Sequence, residues 1–502
     1  MSWYWLYKQV RFDKYDGASS VDQTLSGLID IDRSAAAPLA RQLYEQLKSA
    51  IAGNRLRQGY RLPSSRLLAR QLAVSRNTVS AAIDQLAAEG YIDIARGRRP
   101  SIAPGLAPPP AGRAGGHLSV APLRLSLWAR RIGQAGWPFA SEGAARPFVP
   151  GLADARAFPH DVWGRCLRRA ARSAPRRGSA HNRPALQQAL ARHLIEHRGV
   201  RTEPRQIVVT PSAQAAIELI ARVTLEVGDR AWLENPGYGG ARAALEAVGA
   251  RVVGVPLDRG GLVLAGRRDR PKLIFVTPSH QYPTGRLMPV DRRMDLLRFA
   301  ATVGAVLIED DYDSEFHYEG RPVAALQGLD PAGRVFYVGT FSKVMLADIR
   351  VGYAVVPESL VETFERAQRH TGQLVSVSLQ NALSEFMEEG AYAAHIRRMT
   401  RIYRGRRDRM VQALTAEALD TFVIDPPAGG MQLLARCRRR QDDRSLCARL
   451  AETGVTARPL SSHFIGRATQ QGLFLGFAAW TDEEIDAGAG RIGRIVAPAR
   501  NR

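Results

Sequence analysis

Residues 335–353 read VFYVGTFSKVMLADIRVGY, and the interpretation of the whole chain turns on them. An apolar, β-rich run over 335–338 stops at Gly339. Thr340, Phe341, Ser342 and Lys343 follow, with Arg350 seven residues beyond the lysine. Lysine is scarce. Lys8, Lys14, Lys48, Lys272 and Lys343 are the only five among 70 basic side chains, the other 65 being arginine. A chain that writes arginine almost everywhere keeps lysine where a primary amine is needed. A guanidinium stays charged and cannot form a Schiff base, whereas a lysine depressed by its surroundings can. A lysine just past a strand end, flanked by hydroxyls and an arginine, is what a pyridoxal phosphate site requires. Lys343 would hold the aldehyde, and Thr340, Ser342 and Arg350 would face the phosphate. The alternative is a solvated loop lysine.

A length of 502 residues exceeds one ordinary domain and allows a large core beside a small module. Hydrophobic content of 45% with 24% charged residues fits a soluble globular protein, and no apolar run approaches a membrane span. Residues 1–23 are an aromatic, short extension without a signal-peptide core. Cys166, Cys437 and Cys447 show no metal-ligand spacing and no paired framework, so no metal site is expected and a reducing cytoplasm fits. The net charge of +22 suits a polyanionic partner.

Residues 24–103 predict a compact unit. Leu39, Leu43, Leu47 and Ile51 recur at steps of four along one helix. After Gly53 and Gly59 comes RLPSSRLLARQLAVSRNTVSAAIDQLAAEGY, residues 61–91. Ser64 or Ser65 can cap a helix bearing Leu68 and Leu72, and Ser75 can cap the next, with Val79, Ile83 and Leu86 on one face. Gly90 ends it, and residues 91–103 form a short hairpin around Arg96 and Gly97. This is a helix-turn-helix with a wing. Between residues 54 and 83 there are six arginines and no acid. Arg76, Asn77 and Thr78 start the second helix of the pair, where base edges are reached in the major groove. Arg66 suits a phosphate, and Arg96, Gly97, Arg98 and Arg99 suit a wing on the backbone or minor groove. A basic protein-interaction module is the alternative.

Residues 104–145 contain PGLAPPPAGRAGG and predict a tether, with WARRIGQAGWPF at 128–139 open to packing against the next domain. From 146 to 497, apolar β-like runs alternate with helical patterns, an α/β signature. At 206–225 a strand, a turn and a helix put the exposed amides of Ser212, Ala213 and Gln214 at a helix N-terminus, an anion site. Tyr238 follows a Pro-Gly turn that would throw its ring into a crevice. The strand at 305–311 ends in three crowded carboxylates, Glu309, Asp310 and Asp311, then Tyr312. Such crowding is costly unless a cation is near; a protonated pyridine nitrogen is one, so Asp310 would hold it while Tyr312 serves the ring hydroxyl. A metal cluster is the alternative, and no converging histidine is expected to support it.

LPSSRLLARQLAVSRNTVSAAIDQLAAEGYI resembles a GntR-type winged helix, which implies operator binding as a dimer, with Arg66, Arg76 and Thr78 at positions that touch DNA. ENPGYGG, TPSHQYPTG, IEDDYDSEF and GTFSK come in the order of a fold-type I aminotransferase. Together the two parts resemble the MocR/GabR family of transcription regulators over nearly all of 24–495. The resemblance implies a small α+β winged helix-turn-helix followed by a large α/β aminotransferase-like domain, a head-to-tail homodimer, pyridoxal phosphate on Lys343, and an amine, amino acid or the cofactor itself as effector. Three departures stand out. Phe474 occupies the arginine position of an LRLGFA-like motif, with Arg458 as a conceivable substitute. Asn182 and Gln187 replace Gly and Arg in the segment that a neighbouring subunit would offer to the phosphate. HQYPTG replaces HNPTG. Loss of a bidentate carboxylate clamp removes affinity and orientation together. The pattern points to sensing; an active aminotransferase with a DNA-binding head, or a cofactor-free scaffold, are the competing readings.

Overall fold

The computed structural model describes residues 25, 27–95, 98–104, 124–134, 146–172, 184–267, 269–320 and 323–497. The N-terminal extension, most of the tether, Arg96, Gly97 and Asn182 lie outside them. Two compact units divide at 123/124.

In the first, α1 (Leu39–Ala52) buries Leu43, Leu47 and Ile51, with Leu39 half-buried at its start. The side chain of Ser64 caps α2 (Ser65–Gln71) by accepting from Leu67 N, and that of Ser75 caps α3 (Arg76–Ala88) by accepting from Thr78 N at 3.0 Å. Each cap is worth about 1 kcal/mol, because it satisfies an amide the helix leaves unpaired. Ala73, at φ 49°, makes the turn between the two helices. β1 (Ile92–Asp93) and β2 (Ser101–Ile102) pair antiparallel, and Arg61 bridges to Ser101. Leu43, Leu47, Leu68, Val79, Ile83, Leu86, Ile92 and Ile102 close a single core. The expected helix-turn-helix and hairpin are both present.

The second unit is built on a mixed eight-stranded sheet. Its strands in chain order are β3 (Ile207–Thr210), β4 (Arg230–Asn235), β5 (Arg251–Asp258), β6 (Gly261–Leu262), β7 (Leu273–Val276), β8 (Val306–Asp311), β9 (Val335–Thr340) and β10 (Gly352–Val355), and across the sheet they run β3-β10-β9-β8-β7-β4-β5-β6. The neighbours from β5 through β9 are parallel, and β10 runs antiparallel between β9 and β3. β7 and β9 are buried throughout, as strands covered on both faces must be. The parallel strands therefore all release their chain at one edge, where open α/β sheets bind ligands. A second, antiparallel sheet follows: β11 (Phe422–Ile424), β12 (Gln432–Cys437), β13 (Arg458–Pro459) and β14 (Gly472–Gly476), in the order β11-β12-β14-β13. No helix among the described residues is long and apolar enough to cross a membrane.

Two details sharpen the expectation. Within the predicted tether, the stretch open to packing against the next domain folds. A helix at Leu127–Gln134, started by Ser126 Oγ accepting from Ala129 N, belongs with the large unit and packs on the helix Gly239–Ala247. Gln187 is buried and donates to Ile207 O at 2.8 Å, tying down the edge strand β3 of its own chain. It is a structural donor within its own chain.

Candidate functional site

On the small unit, Arg66, Ser75, Arg76, Asn77 and Arg98 are exposed and Thr78 is half-buried. Arg76, Asn77 and Thr78 form the first turn of α3, preset by the Ser75 cap; Ser75 Oγ also lies 2.8 Å from Thr78 Oγ1. Arg98 N donates to Ala95 O between the two strands of the wing. No acidic residue occupies the first turn of α2 or α3, so the positive helix ends and the guanidinium of Arg66 or Arg76 add.

On the large unit, the ends of β4, β7, β8 and β9 bring Tyr238, His280, Asp310, Tyr312, Thr340, Ser342 and Lys343 to one edge of the sheet. The three crowded carboxylates part company in direction. Glu309 accepts from the amides of Leu326 and Gln327 and lies 3.8 Å from Arg293. Asp311 takes Arg198 Nε at 2.8 Å and Tyr337 OH at 2.6 Å. Burial alone would raise the Asp311 carboxyl, but Arg198 and these hydrogen bonds hold it below its ordinary range. Asp310 has no such partner. Its Oδ1 is buried without a hydrogen bond, and burial, reinforced by Asp311 and Asp313, pushes its pKa to about 8.

Lys343 Nζ donates to Gly151 O at 2.7 Å. Burial, with Arg458 behind it, depresses the ammonium to about 8, against the opposing pull of Asp313 and Asp310. Ser342 Oγ is buried without a partner, and Thr340 Oγ1 accepts from Ser342 N at 3.2 Å. Ser212 caps the helix Ala213–Thr224 by accepting from Ala215 N, so the amides of Ala213 and Gln214 stay free of that bond. Gly352 lies directly beneath this turn. A Cβ there would meet Ala213 N at 2.5 Å, so only glycine lets β10 approach. Gln214 reaches sideways: Nε2 donates to Gly240 O, and Oε1 accepts from Tyr238 OH at 3.4 Å. Tyr238 packs edge-on to Tyr282, with centroids 5.3 Å apart. Tyr312 OH donates to His280 O at 3.0 Å. Arg350 is exposed, in the left-handed region at φ 51°. It sits at the end of a single 3-10 turn, Ala347–Ile349, and the backbone strain there is characteristic of ligand sites.

Several groups were not anticipated. His280 pairs with an acid just beyond the strand end, outside the three crowded carboxylates: its Nδ1 lies 2.8 Å from Asp313 Oδ1. Asp313 Oδ2 also accepts from Met431 N, so the pair is a brace between two loops. Gln432 Oε1 is buried without a partner beside Lys343. Among the described residues, three metal-type ligand atoms meet only at Cys166, Glu385 and Glu389, where Arg169 bonds both glutamates. Arg458, the conceivable substitute for the missing arginine, is the most telling. It pairs in register with Phe474 across β13 and β14, and its charge is felt by Lys343, Tyr238, Tyr282 and His463. Phe474 itself turns inward against Tyr282, with centroids 5.1 Å apart. A guanidinium therefore faces the cleft from the strand next to the one where an arginine is missing.

The residues fit pyridoxal phosphate. The fit rests on the orphaned Asp310 Oδ1 and Ser342 Oγ, a depressed lysine, and a helix N-terminus whose approach depends on Gly352.

The aminotransferase class I and II family profile matches residues 154–492, and that of the gntR family of bacterial regulatory proteins matches 39–101. The chain is 40% identical over 472 residues to a probable rhizopine catabolism regulatory protein, MocR, of Rhizobium meliloti, covering 90% of this chain and 92% of the relative. It is 33% identical over 447 residues to the pyridoxine biosynthesis transcriptional regulator PdxR of Corynebacterium glutamicum, covering 88% and 93%. Among solved structures, an archaeal alanine:glyoxylate aminotransferase matches with a TM-score of 0.66 and 25% identity over 74% of this chain and 96% of that one. LysN, the α-aminoadipate aminotransferase of Thermus thermophilus complexed with N-(5'-phosphopyridoxyl)-L-leucine, matches with a TM-score of 0.65 and 28% identity over 74% and 98%.

Proposed function

Because the chain belongs to the MocR-type transcription regulators, with a GntR winged helix and an aminotransferase class I and II domain, we propose that its large unit carries pyridoxal phosphate on Lys343 and senses an amine, an amino acid or the cofactor itself. The signal is read out as a change in operator affinity, in the cytoplasm, by a head-to-tail homodimer.

One observation carries the reading: a depressed lysine and a buried carboxylate with an unbonded oxygen share one cleft. With a pKa of about 8, roughly a tenth of Lys343 is free amine at pH 7, against on the order of one in a few thousand for an ordinary lysine. When bound, the cofactor supplies an aldehyde that condenses reversibly with amines and a ring that withdraws electrons. The chain's own groups do the rest. Lys343 Nζ offers the amine. Asp310, with its unbonded oxygen, would hold the ring nitrogen. Tyr238 would cover the ring face, and Tyr312 would serve the ring hydroxyl. The amides of Ser212, Ala213 and Gln214, with Thr340, Ser342 and Arg350, hold the phosphate. Arg458 draws the effector's carboxylate, the role that Phe474 cannot fill. An effector changes DNA binding only by favouring one arrangement of the molecule over another, so it must bind the two with different affinity.

The test is the visible absorption of the purified protein with added pyridoxal phosphate, beside Lys343→Ala. A band in the parent alone that candidate amines perturb, and that accompanies a shift in gel-retardation midpoint, is the expected result. A band of equal strength in both proteins refutes the assignment to Lys343, and no band in either makes the large unit a scaffold.

A further inference from the structure

Most of the chain's positive charge does not belong to the winged helix. Residues 1–103 hold 15 basic and 9 acidic side chains, so 55 of 70 and 39 of 48 lie beyond them, a surplus of +16 out of +22. Part of that surplus is concentrated in one furrow of the large unit. The end of β12 and the turn after it supply Arg436, Arg438, Arg439 and Arg440, and the loop before β14 sets Arg467 opposite. The furrow holds about 570 Å³, and it shares Arg436, Thr469 and Gln470 with an adjoining hollow of about 610 Å³.

Two of the five arginines are engaged. Arg436 Nη2 pairs with Asp425 at 2.6 Å, and Arg438 Nε donates to Leu419 O at 2.7 Å. Arg439, Arg440 and Arg467 are exposed and make no ion pair among the described residues. The acids that follow in sequence do not neutralise them by contact. Asp442 Oδ1 accepts from the amides of Arg444 and Ser445, and Asp443 is buried against Ser461 and the amide of Gly472.

We propose that this furrow is a second, sequence-independent DNA surface, which takes the phosphate backbone of duplex flanking the segment gripped by the winged helix. A site for one small phosphorylated molecule uses a few buried, oriented donors over an apolar floor. This furrow has neither: its guanidiniums stand in the open, and its remaining walls are Cys437, Ala468, Thr469, Gln470 and Gln471. An open row of unpaired arginines suits a repeating line of phosphates, where released counterions supply the affinity. Such contacts carry no sequence information; they add affinity and fix the path of the flanking duplex. The proposal rests on the winged helix binding DNA.

Arg439→Gln, Arg440→Gln and Arg467→Gln in one full-length variant test it. A duplex enriched from random sequence by the parent protein is used bare and again embedded in longer flanks, each titrated by anisotropy over a salt series. On the long duplex the variant should lose up to about 2.7 units of the log–log salt slope, for three phosphate contacts at about 0.9 each. On the bare duplex parent and variant should agree, and their cofactor spectra should match. Equal slopes on the long duplex overturn the proposal, as does an equal loss on both. Inorganic tripolyphosphate bound by the parent and lost in the variant, with DNA binding untouched, would make the furrow a small-anion site and also overturn it. A parent that enriches no duplex at all refutes the operator reading, a failure distinct from these.

Discussion

The recognition helix and the cofactor cleft use the same residue, arginine, under opposite constraints. Arg76 at the start of α3 and Arg66 at the start of α2 are exposed. Their positions are set by serine caps on the backbone, and their guanidiniums wait for a partner outside the chain. Arg198 and Arg293 in the large unit are buried, and every bond they make is internal. Arg198 joins Asp311 and Ser279, each at 2.8 Å, and Arg293 donates to the carbonyls of Met288, Ala324 and Pro278. An exposed arginine adds little to stability and much to encounter with a polyanion. A buried one adds little net energy as a pair, yet its loss leaves a charge stranded. Function on the small unit depends on guanidiniums left unpaired, and in the cleft on buried arginines whose internal bonds hold the walls around a few unbonded atoms, Asp310 Oδ1 and Ser342 Oγ among them.

The largest test of that contrast is Arg198→Met. It strips Asp311 of its cation while leaving it buried, and should cost about 3–5 kcal/mol in denaturant unfolding of the large unit. Arg66→Ala, by comparison, should fall within about 0.5 kcal/mol of the parent. If Arg198→Met unfolds at the parent's midpoint, the cleft is not held by that pair and the contrast fails.

A smaller effect is expected of Arg76→Ala, which removes one base-edge contact without touching a core. Specific binding in a gel-shift titration should weaken by about 1–3 kcal/mol, and the cofactor spectrum should not change. Unchanged affinity for the enriched duplex would remove Arg76 from the interface, leaving the charge of α2 and α3 as a general attraction only.

What was legible in the sequence follows the same division. Local signals worked. Ser75 announces its cap and Ser64 or Ser65 the other, of which Ser64 takes the role, and the acid-free run of six arginines marks the unit as basic. The scarcity of lysine singles out Lys343 before any fold is known. Strand ends were legible too, because Asp310 and Tyr312 close an apolar run of β type. Long-range pairings were not. The partners of Glu309 and Asp311 are Arg293 and Arg198, and the second lies 113 residues away with no periodicity to join them. His280 was visible in its turn, but its bond to Asp313 depends on how β7 and β8 end side by side. The helix at Leu127–Gln134 was legible only as a stretch open to packing, because the Pro/Gly-rich run before it dominates the composition. Gln187 was read by motif position, and only its burial shows that it serves β3.

The finest test concerns Arg458, which combines the two roles: it is placed by strand register yet faces a ligand site. Its charge is the second cause, after burial, of the depressed Lys343 ammonium. Removing it in Arg458→Gln should therefore raise the Lys343 pKa from about 8 by on the order of half a unit. The sign follows directly. The protonated amine is disfavoured by a neighbouring positive charge, so deleting that charge keeps the proton on to higher pH. The rate at which cofactor-free protein takes up pyridoxal phosphate depends on free amine, so its rise with pH should be half complete near 8 in the parent and at higher pH in the variant. In a separate titration, amino acids should lose more affinity than amines of the same chain, because only the former present a carboxylate to the missing guanidinium. A variant that moves the pH midpoint but treats both ligand classes alike would make Arg458 an electrostatic tuner of Lys343 and not a carboxylate anchor. If it discriminates the ligands but leaves the midpoint unmoved, the guanidinium lies too far from Lys343 for its charge to matter there.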